Sequence, residues 1–285
     1  MQNNISLVIA TLGRISLIET INSINRGLTI PNEIIVCSCD INAKKYLPIN
    51  ADNVLFVLTK KKGQVAQRIE GLRKAKNLII VQMDDDITVE KNTLKELQIL
   101  LEYYGRKHVV APVLKKSENK EILINYPKGF LGFIKNLHDF FLIGAKWGNL
   151  KMGTISKSGI GFSYDPEATN EPTVQVEWLP GGITMYYKDN LIRDDYYQYQ
   201  GKAYYEDIIQ SILWKKNGAK LILCTRIFAF TKVSKDFITI KEIFRKRIIR
   251  KDIIMNNNGN LFYNNLCFIV NLFSFIIKKS LNKNE

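Results

Sequence analysis

The chain has 285 residues, 46% of them hydrophobic, so it is long enough for one large globular domain and too apolar to be disordered. Its formal net charge is +14, from 41 Lys and Arg against 27 Asp and Glu, which points to an anionic partner. With only two histidines, a Ser-His-Asp hydrolase or a zinc site built from several histidines has little material. Acid–base chemistry is therefore expected to depend on carboxylates.

The first 115 residues alternate between short apolar runs and segments with helical spacing. Strands are predicted at 5–10, 33–37, 54–58, 78–83 and 108–114, and helices at 15–24, 63–76 and 91–104. Such alternation is typical of a mostly parallel sheet covered by helices on both faces. In sheets of this kind, ligands bind beyond the carboxyl ends of the strands.

The second half is less regular. Residues 115–175 are rich in glycine and aromatic residues, and they fit either a substrate-binding loop or a membrane-contacting patch. A strand is then predicted at 173–179, a helix at 206–216 and a further strand at 219–224. The expected division is a catalytic domain at 1–230, with halves at 1–115 and 116–230, followed by a basic helical tail at 231–285.

The tail combines positive charge with two amphipathic segments. Ile240, Ile243, Phe244 and Ile248 fall on one predicted stripe, and Arg245, Lys246 and Arg250 lie off it. Residues 261–277 form an uncharged run with Asn264, Asn271 and Ser274 on one helical face. Because a membrane span needs about 20 apolar residues, this short helix fits one lying in a membrane interface or one docked on the catalytic domain.

Three consecutive carboxylates, Asp84-Asp85-Asp86, follow the apolar run LIIVQM. Crowding them there is electrostatically costly unless a cation is present. Mg²⁺ is typically held by one or two carboxylates together with substrate phosphates. The triplet therefore predicts a site for a divalent cation and a diphosphate; the alternative is an acidic loop that caps the next helix.

Two weaker signals lie further along the chain. Glu206 and Asp207 open a predicted helix, where the dipole keeps a carboxylate ionised and able to act as a general base, although acids are also common there for structural reasons. The run from Trp178 through Pro180-Gly181-Gly182 fits one wall of a sugar site, or a core tryptophan beside a tight turn.

In this order and spacing the segments resemble the family-2 glycosyltransferases of the GT-A fold. The resemblance runs from the first strand to about residue 224. It covers the VIAT-x-x-R start, the EIIV strand, Gly63 and Arg68 in the next helix, the D-x-D at Asp84–Asp86, the W-x-P-G-G run from Trp178 and the Glu206-Asp207 pair. The implied fold is a Rossmann-like, mostly parallel central sheet flanked by helices, with a C-terminal amphipathic helical tail.

The resemblance also implies roles. The residues implied at the nucleotide-sugar donor are Thr11, Arg14, Asp40, Gln64, Arg68, Asp84 and Asp85. Asp86 and Asp84 would hold Mg²⁺ or Mn²⁺ against the diphosphate. Asp207 would deprotonate the acceptor hydroxyl. The residues implied at the acceptor are Trp178, Gly181, Gly182 and Glu206.

The function that the sequence predicts is an inverting glycosyltransferase of bacterial surface polysaccharide assembly. Its expected donor is a nucleoside-diphosphate sugar, foremost a UDP-sugar, and its expected acceptor a saccharide or a lipid-linked saccharide, with no nucleic-acid partner. A basic nucleic-acid-binding protein, a nucleotidyltransferase on a related fold and a non-catalytic membrane scaffold are the alternatives.

The expected location is cytoplasmic, peripheral on the inner face of the cell membrane if the tail binds lipid. The four cysteines form no C-x-x-C pair and no secretory signal is visible in MQNNISLVIAT.

Overall fold

The computed structural model describes residues 4–48, 51–123, 126–232 and 239–281. The chain divides into two compact units. The first comprises Met1–Leu123 and Thr169–Val233, and the second comprises Ile124–Ala168 and Ser234–Glu285. Most of the segment 115–175, which fits either a substrate loop or a membrane patch by its sequence, thus belongs to the same unit as the C-terminal helices; its two ends belong to the first unit.

The strands and helices of the described residues follow the predicted order. The strands are β1 Ile5–Ala10, β2 Glu33–Ser38, β3 Val54–Leu58, β4 Ile79–Asp84, β5 Ile87–Val89, β6 His108–Lys116, β7 Thr173–Val176, β8 Ile183–Tyr187 and β9 Lys220–Thr231. The helices of four turns or fewer are α1 Ser16–Asn25, α2 Gln64–Lys74, α3 Thr93–Tyr104, α4 Gly129–His138 and α5 Glu206–Lys216. Two longer helices, α6 Ile240–Asn256 and α7 Leu261–Leu281, follow.

The strands of the first unit form one sheet in the order β3-β2-β1-β4-β8-β6-β9-β5, and β7 also pairs with β9. Strands β1 to β4 are parallel to one another, and β6 is parallel to β9. The register places Ala10 beside Asp84 on one side and beside Cys37 on the other. The residues that follow β1, β2 and β4 therefore meet at one edge of the sheet, as the sequence predicted.

Helices cover both faces of the parallel strands. Leu7 and Ile9 of β1 lie in one buried cluster with Leu17 of α1 and Leu97 of α3. Val8 points the opposite way, towards Gly71 of α2, where a Cβ would lie 2.7 Å from Val8 Cγ1 and 2.4 Å from Cys37 Sγ. A glycine at this position lets α2 approach the sheet closely. The predicted layered α/β architecture is confirmed.

Two strands were not predicted. Strand β8 is antiparallel to both β4 and β6 and lies between them, so it completes the sheet immediately after the Gly181-Gly182 turn. Strand β5 has three residues and pairs only with the end of β9. Both follow directly on a site motif and are short, with three and five residues, so their local pattern did not identify them as strands.

In the second unit, α6 begins with a capping box in which Thr239 accepts from the Glu242 N–H and the Glu242 carboxylate accepts from the Thr239 N–H. The residues of the predicted apolar stripe of α6 lie on one helix, and most of them are exposed. Ile243 is buried, whereas Ile240, Phe244 and Ile248 are exposed, and Arg250 lies on the buried face. There Arg250 donates from Nη1 to Cys267 Sγ of α7 over 2.7 Å.

The polar face of α7 begins against α6. Asn264 is buried and donates from Nδ2 to the Arg247 carbonyl over 3.2 Å. The apolar residues Leu261, Phe262, Ile269 and Phe273 of α7 are exposed. None of the helices in the described residues is both long and apolar enough to cross a membrane.

Candidate active site

Arg68 forms the centre of a buried cluster of charges at the carboxyl edge of the sheet. Its side chain is only 1% exposed. Nη2 donates to Asp84 Oδ1 over 2.8 Å, and Nη1 donates to Glu206 Oε1 over 3.0 Å and Oε2 over 3.2 Å. Burial alone would lower the pKa of Arg68, but the charges of Glu206 and Asp84 outweigh it and hold the pKa above its ordinary value. The cluster thus joins the end of β4 to the start of α5.

Asp84 accepts a second hydrogen bond on the same oxygen. Gln64 at the first turn of α2 donates from Nε2 to Asp84 Oδ1 over 2.8 Å. Burial raises the pKa of Asp84 to about 7, and the charges of Glu206 and Asp86 add to the rise, while Arg68 and Gln64 oppose it. Both described hydrogen bonds use Oδ1, and a cation bound to this carboxylate would require its deprotonated form.

Asp85 points into the fold. Thr11 at the end of β1 donates from Oγ1 to Asp85 Oδ2, and Thr20 of α1 donates to the Asp85 carbonyl. Thr11 is itself held through its carbonyl by Gln67 Nε2 over 2.9 Å. Asp85 thus fixes the loop that follows β1. Contact of Asp85 with the nucleotide-sugar donor stays a prediction.

Asp86 points outward and keeps 31% of its side-chain surface. Burial, followed by the charge of Asp85, raises the pKa of Asp86, and Arg14 lowers it from a distance of 3.9 Å between Nη1 and Oδ2. Asp86 also lines a cavity of about 320 Å³, together with Ser16, Thr88 and Lys120. Arg14 is 63% exposed, so its guanidinium is accessible to an anion from solvent.

A metal at this site would need oxygen atoms from a ligand as well. In the part of the chain that the structure describes, no three Asp, Glu, His or Cys side chains converge on a metal position. Asp86 and the second oxygen of Asp84 are the carboxylate oxygens available. Two carboxylates fit Mg²⁺ or Mn²⁺ when phosphate oxygens complete the coordination.

Asp207 lies beside the Gly181-Gly182 turn. Its Oδ1 accepts from the Ile208 N–H over 2.9 Å, and the Gly181 N–H donates to the same carboxylate. Burial raises the pKa of Asp207 to about 7, and the charge of Glu206 adds to the rise, against these backbone donors. Asp207 is therefore a carboxylate whose proton affinity suits a general base near neutral pH.

The glycine turn leaves no room for side chains. A Cβ on Gly181 would lie 2.9 Å from Glu206 Oε1, and one on Gly182 would lie 2.9 Å from Leu114 Cδ1. The Gly182 carbonyl accepts from the Asp84 N–H over 2.9 Å, so the turn is fastened to the acidic triplet. Trp178, just before the turn, is 9% exposed and belongs mostly to the core.

Asp40 is the predicted donor residue that lies apart from the cluster. It is exposed and accepts from the Asn42 N–H over 2.9 Å, so it begins a short 3-10 turn after β2. The structure does not join it to the acidic triplet by any described contact, and base recognition by Asp40 stays a prediction.

Two residues of the cluster were not predicted. Tyr196 donates from its hydroxyl to Glu206 Oε2 over 3.1 Å, and burial raises the pKa of Tyr196 well above its ordinary value. Gln67 holds both the Thr11 and the Cys37 carbonyls. The aromatic run YYQYQ, which begins ten residues before Glu206, could have indicated Tyr196 as a residue of the site. For Gln67 the sequence offers no such indication beyond its position next to Arg68.

The fold and the site together define an α/β protein with a cluster of carboxylates at the carboxyl edge of its sheet. The sequence model of the protein family "Glycosyl transferase family 2" matches residues 6–166, more than half of the chain. The chain belongs to this family. No curated protein matches it.

Solved structures share the fold at low sequence identity. GalNAc-T7, solved with UDP, GalNAc and Mn²⁺, has a TM-score of 0.57 at 15% identity and covers 86% of this chain. The chain spans 48% of the length of GalNAc-T7.

For two further structures the match covers a larger share of the neighbour's own chain. TarS 1-349 of S. aureus, solved with UDP-GlcNAc, has a TM-score of 0.52 at 14% identity and covers 95% of this chain and 73% of its own. The mannosyltransferase PcManGT from Pyrobaculum calidifontis, solved with GDP-Man and Mn²⁺, has a TM-score of 0.56 at 14% identity, with 93% of this chain and 69% of its own covered. The predicted GT-A fold is confirmed by these likenesses.

Proposed function

We propose that the protein transfers a sugar from a nucleoside-diphosphate sugar to a hydroxyl of a saccharide or lipid-linked acceptor, with inversion at the anomeric carbon. The observation that carries the proposal is the buried cluster of Arg68, Asp84 and Glu206, which holds the acidic triplet beside Asp207. The UDP-GlcNAc and GDP-Man bound by two structural neighbours support it, as do the UDP and GalNAc bound by a third.

The donor is proposed to lie over the edge formed by the ends of β1, β2 and β4. Arg14 is exposed and faces Asp86, so it is placed to contact the diphosphate. Gln64 and Arg68 act indirectly, since both donate to Asp84. They set the direction of Asp84 Oδ2 towards the donor sugar or the cation.

Asp86 and Asp84 are proposed to hold Mg²⁺ or Mn²⁺. When bound, the cation supplies positive charge that stabilises the departing nucleoside diphosphate. Two structural neighbours were solved with Mn²⁺, which supports a divalent cation.

Asp207 is proposed as the general base. It takes the proton of the acceptor hydroxyl while the acceptor oxygen forms its bond to the anomeric carbon. The bond from that carbon to the diphosphate oxygen breaks on the opposite side, and its electron pair leaves with the nucleoside diphosphate. The Gly181 N–H, which donates to Asp207, keeps the carboxylate in position. Glu206 cannot share this role directly, because Arg68 and Tyr196 occupy its oxygens.

The acceptor is proposed to belong to bacterial surface polysaccharide assembly and to be carried at the membrane. The basic helices α6 and α7 support attachment to an anionic membrane surface, since α7 exposes apolar residues while its buried Asn264 faces α6.

Calorimetric titration of UDP, with Mn²⁺ and then with EDTA, tests the donor site. The expected result is binding that requires the metal and is lost in Asp86→Ala, while Asp194→Ala, at an exposed aspartate outside the cluster, binds as the wild type does. UDP binding that is equal with EDTA, or equal in Asp86→Ala, would contradict the metal assignment. GDP, dTDP and CDP, titrated in the same way, identify the base.

A further inference from the structure

Residues 129–150 of the second unit expose an unusual amount of large apolar side chain. Those that are exposed are Phe130, Leu131, Phe133, Ile134, Phe140, Phe141, Trp147 and Leu150. Scattered single apolar residues are normal on a surface, but a contiguous set marks a contact with another molecule or a membrane. This set, called here the 129–150 surface, is not used by the proposed chemistry.

Four of the five aromatic members are linked by ring contacts. The ring centroids of Phe133 and Trp147 are 6.0 Å apart, those of Phe140 and Trp147 5.8 Å, and those of Phe140 and Phe141 5.1 Å. All three contacts are edge-to-face. These four residues, called here the Trp147 patch, therefore lie together even though they come from different turns of the chain.

The patch stands on a buried polar support. Lys151, 3% exposed, donates from Nζ to Asp139 Oδ2 over 2.6 Å and to Asn136 Oδ1 over 2.7 Å. Asp139 is fully buried and also accepts from Lys135. Because these bonds fix the chain on both sides of Phe140 and Phe141, the aromatic rings are held outward instead of collapsing inward.

The positive charge of the second unit indicates which kind of partner covers the 129–150 surface. Its described segments, 126–168 and 239–281, carry thirteen Lys and Arg against five Asp and Glu. A second copy of the chain would bring two strongly positive units together, which is electrostatically unfavourable. An anionic lipid surface attracts such a unit and also accepts apolar side chains at the boundary of its acyl chains.

We infer that the 129–150 surface inserts into the interface of an anionic membrane, with the Trp147 patch at the level of the headgroups and acyl-chain boundary. Tryptophan is favoured at that level because its ring is amphipathic. Helix α4 has ten residues and is far too short to span a bilayer, so it lies along the interface. The inference deepens the proposed membrane attachment: a second element, separate in sequence from α6 and α7, reaches the lipid.

Intrinsic fluorescence tests the inference on the full chain. Of the three tryptophans, Trp178 and Trp214 are 9% and 1% exposed, whereas Trp147 is 41% exposed. With vesicles of equal phosphatidylglycerol and phosphatidylcholine, the emission is expected to shift to shorter wavelength and to be quenched when the acyl chains carry bromine. Trp147→Phe should lose both responses while still sedimenting with the vesicles.

A matched pair of variants measures the contribution of the patch. Phe133→Ser combined with Phe140→Ser is expected to weaken partitioning to these vesicles at least about tenfold, because two large apolar surfaces no longer leave water. Ile99→Ser combined with Tyr103→Ser, at exposed positions of α3 in the first unit, should partition as the wild type does.

The outcomes separate the inference from the proposed function. Sedimentation with vesicles without bromine quenching would mean that α6 and α7 attach alone, and would overturn the inference while leaving membrane attachment in place. A blue shift that depends on protein concentration and not on lipid would mean that a second copy covers the patch, and would also overturn it. UDP binding is measured without vesicles, so its failure bears on the proposed function only.

Discussion

Arg68 donates hydrogen bonds to two carboxylates that come from distant parts of the chain. Arg68→Met removes the charge and leaves Asp84 and Glu206 facing each other without a cation between them. We expect a loss of about 3–5 kcal/mol in the free energy of unfolding, which urea denaturation would measure. Arg73→Met is the control, because this exposed arginine of the same helix bonds only to the Arg193 carbonyl. An equal, small effect of both variants would contradict the bridging role of Arg68.

The raised pKa of Asp207 predicts a pH dependence of the transfer rate. A base must be deprotonated to accept the acceptor proton, so the rate should fall as the pH is lowered through about 7. Initial rates from pH 5 to 9 at saturating metal and donor would show this acidic limb of the pH–rate profile. Asp207→Asn should lower kcat by two orders of magnitude or more and remove the limb, with donor affinity nearly unchanged. Full activity of this variant would assign the base elsewhere.

The same carboxylate predicts an effect on stability. The folded protein keeps the Asp207 proton up to about pH 7, whereas an unfolded aspartate loses it near pH 4. Between these values the folded state binds more protons, so its contribution to stability falls as the pH rises. Asp207→Asn should therefore have a higher Tm than the wild type at pH 8, by an amount that shrinks at pH 5. Asp194→Asn, at an exposed site, should show no such difference between the two pH values.

At the scale of elements, α2 depends on a single glycine for its distance from the sheet. Gly71→Ala places a methyl group 2.4 Å from Cys37 Sγ and 2.7 Å from Val8 Cγ1, so the helix has to move away. We expect a loss of about 1–3 kcal/mol, and weaker UDP binding because Gln64 and Arg68 move with the helix. Lys74→Ala, at an exposed position of the same helix, should leave both unchanged. Denaturation and calorimetry on both variants would check this.

The elements that the sequence predicted well are those with a strong local pattern. Strands β1 and β3 and helix α5 have the predicted bounds. Strand β8 was missed because its place is decided by pairing with β4 and β6, which no local pattern contains. The burial of Arg250 on α6 was not predictable for a similar reason: it depends on a contact with Cys267 of another helix.

The candidate site was predictable as a set of residue types and less so as a set of contacts. The family resemblance implied separate roles for the members of the triplet, but it did not give their contacts: Asp84 is held by Arg68, Asp85 by Thr11, and Asp86 points outward. Which carboxylate faces the ligand follows from the backbone turn after β4. The acceptor residue Glu206 proved to be an ion-pair partner of Arg68, which only the assembled sheet reveals.

At the scale of the whole molecule, the proposed donor site predicts stabilisation by ligand. UDP with Mn²⁺ at a hundredfold excess over its Kd should add about 2.7 kcal/mol to the stability of the folded state and raise the Tm. EDTA should remove this gain, and Asp86→Ala should not show it. A rise in Tm with UDP and EDTA together would mean that the nucleotide binds without the cation.

The bridge between Arg68 and Glu206 has a consequence for how the chain folds. The two residues are 138 positions apart. During synthesis, at roughly 5–20 residues per second, Arg68 leaves the ribosome several seconds before Glu206 does. The strands β1 to β4 and helix α2 can pair in that interval, but the guanidinium has only Asp84 as a carboxylate partner until α5 forms. Closure of such a distant contact is slow, so we expect the charge cluster at the carboxyl edge of the sheet to become native only after α5 has been made, well after β1 to β4 have paired.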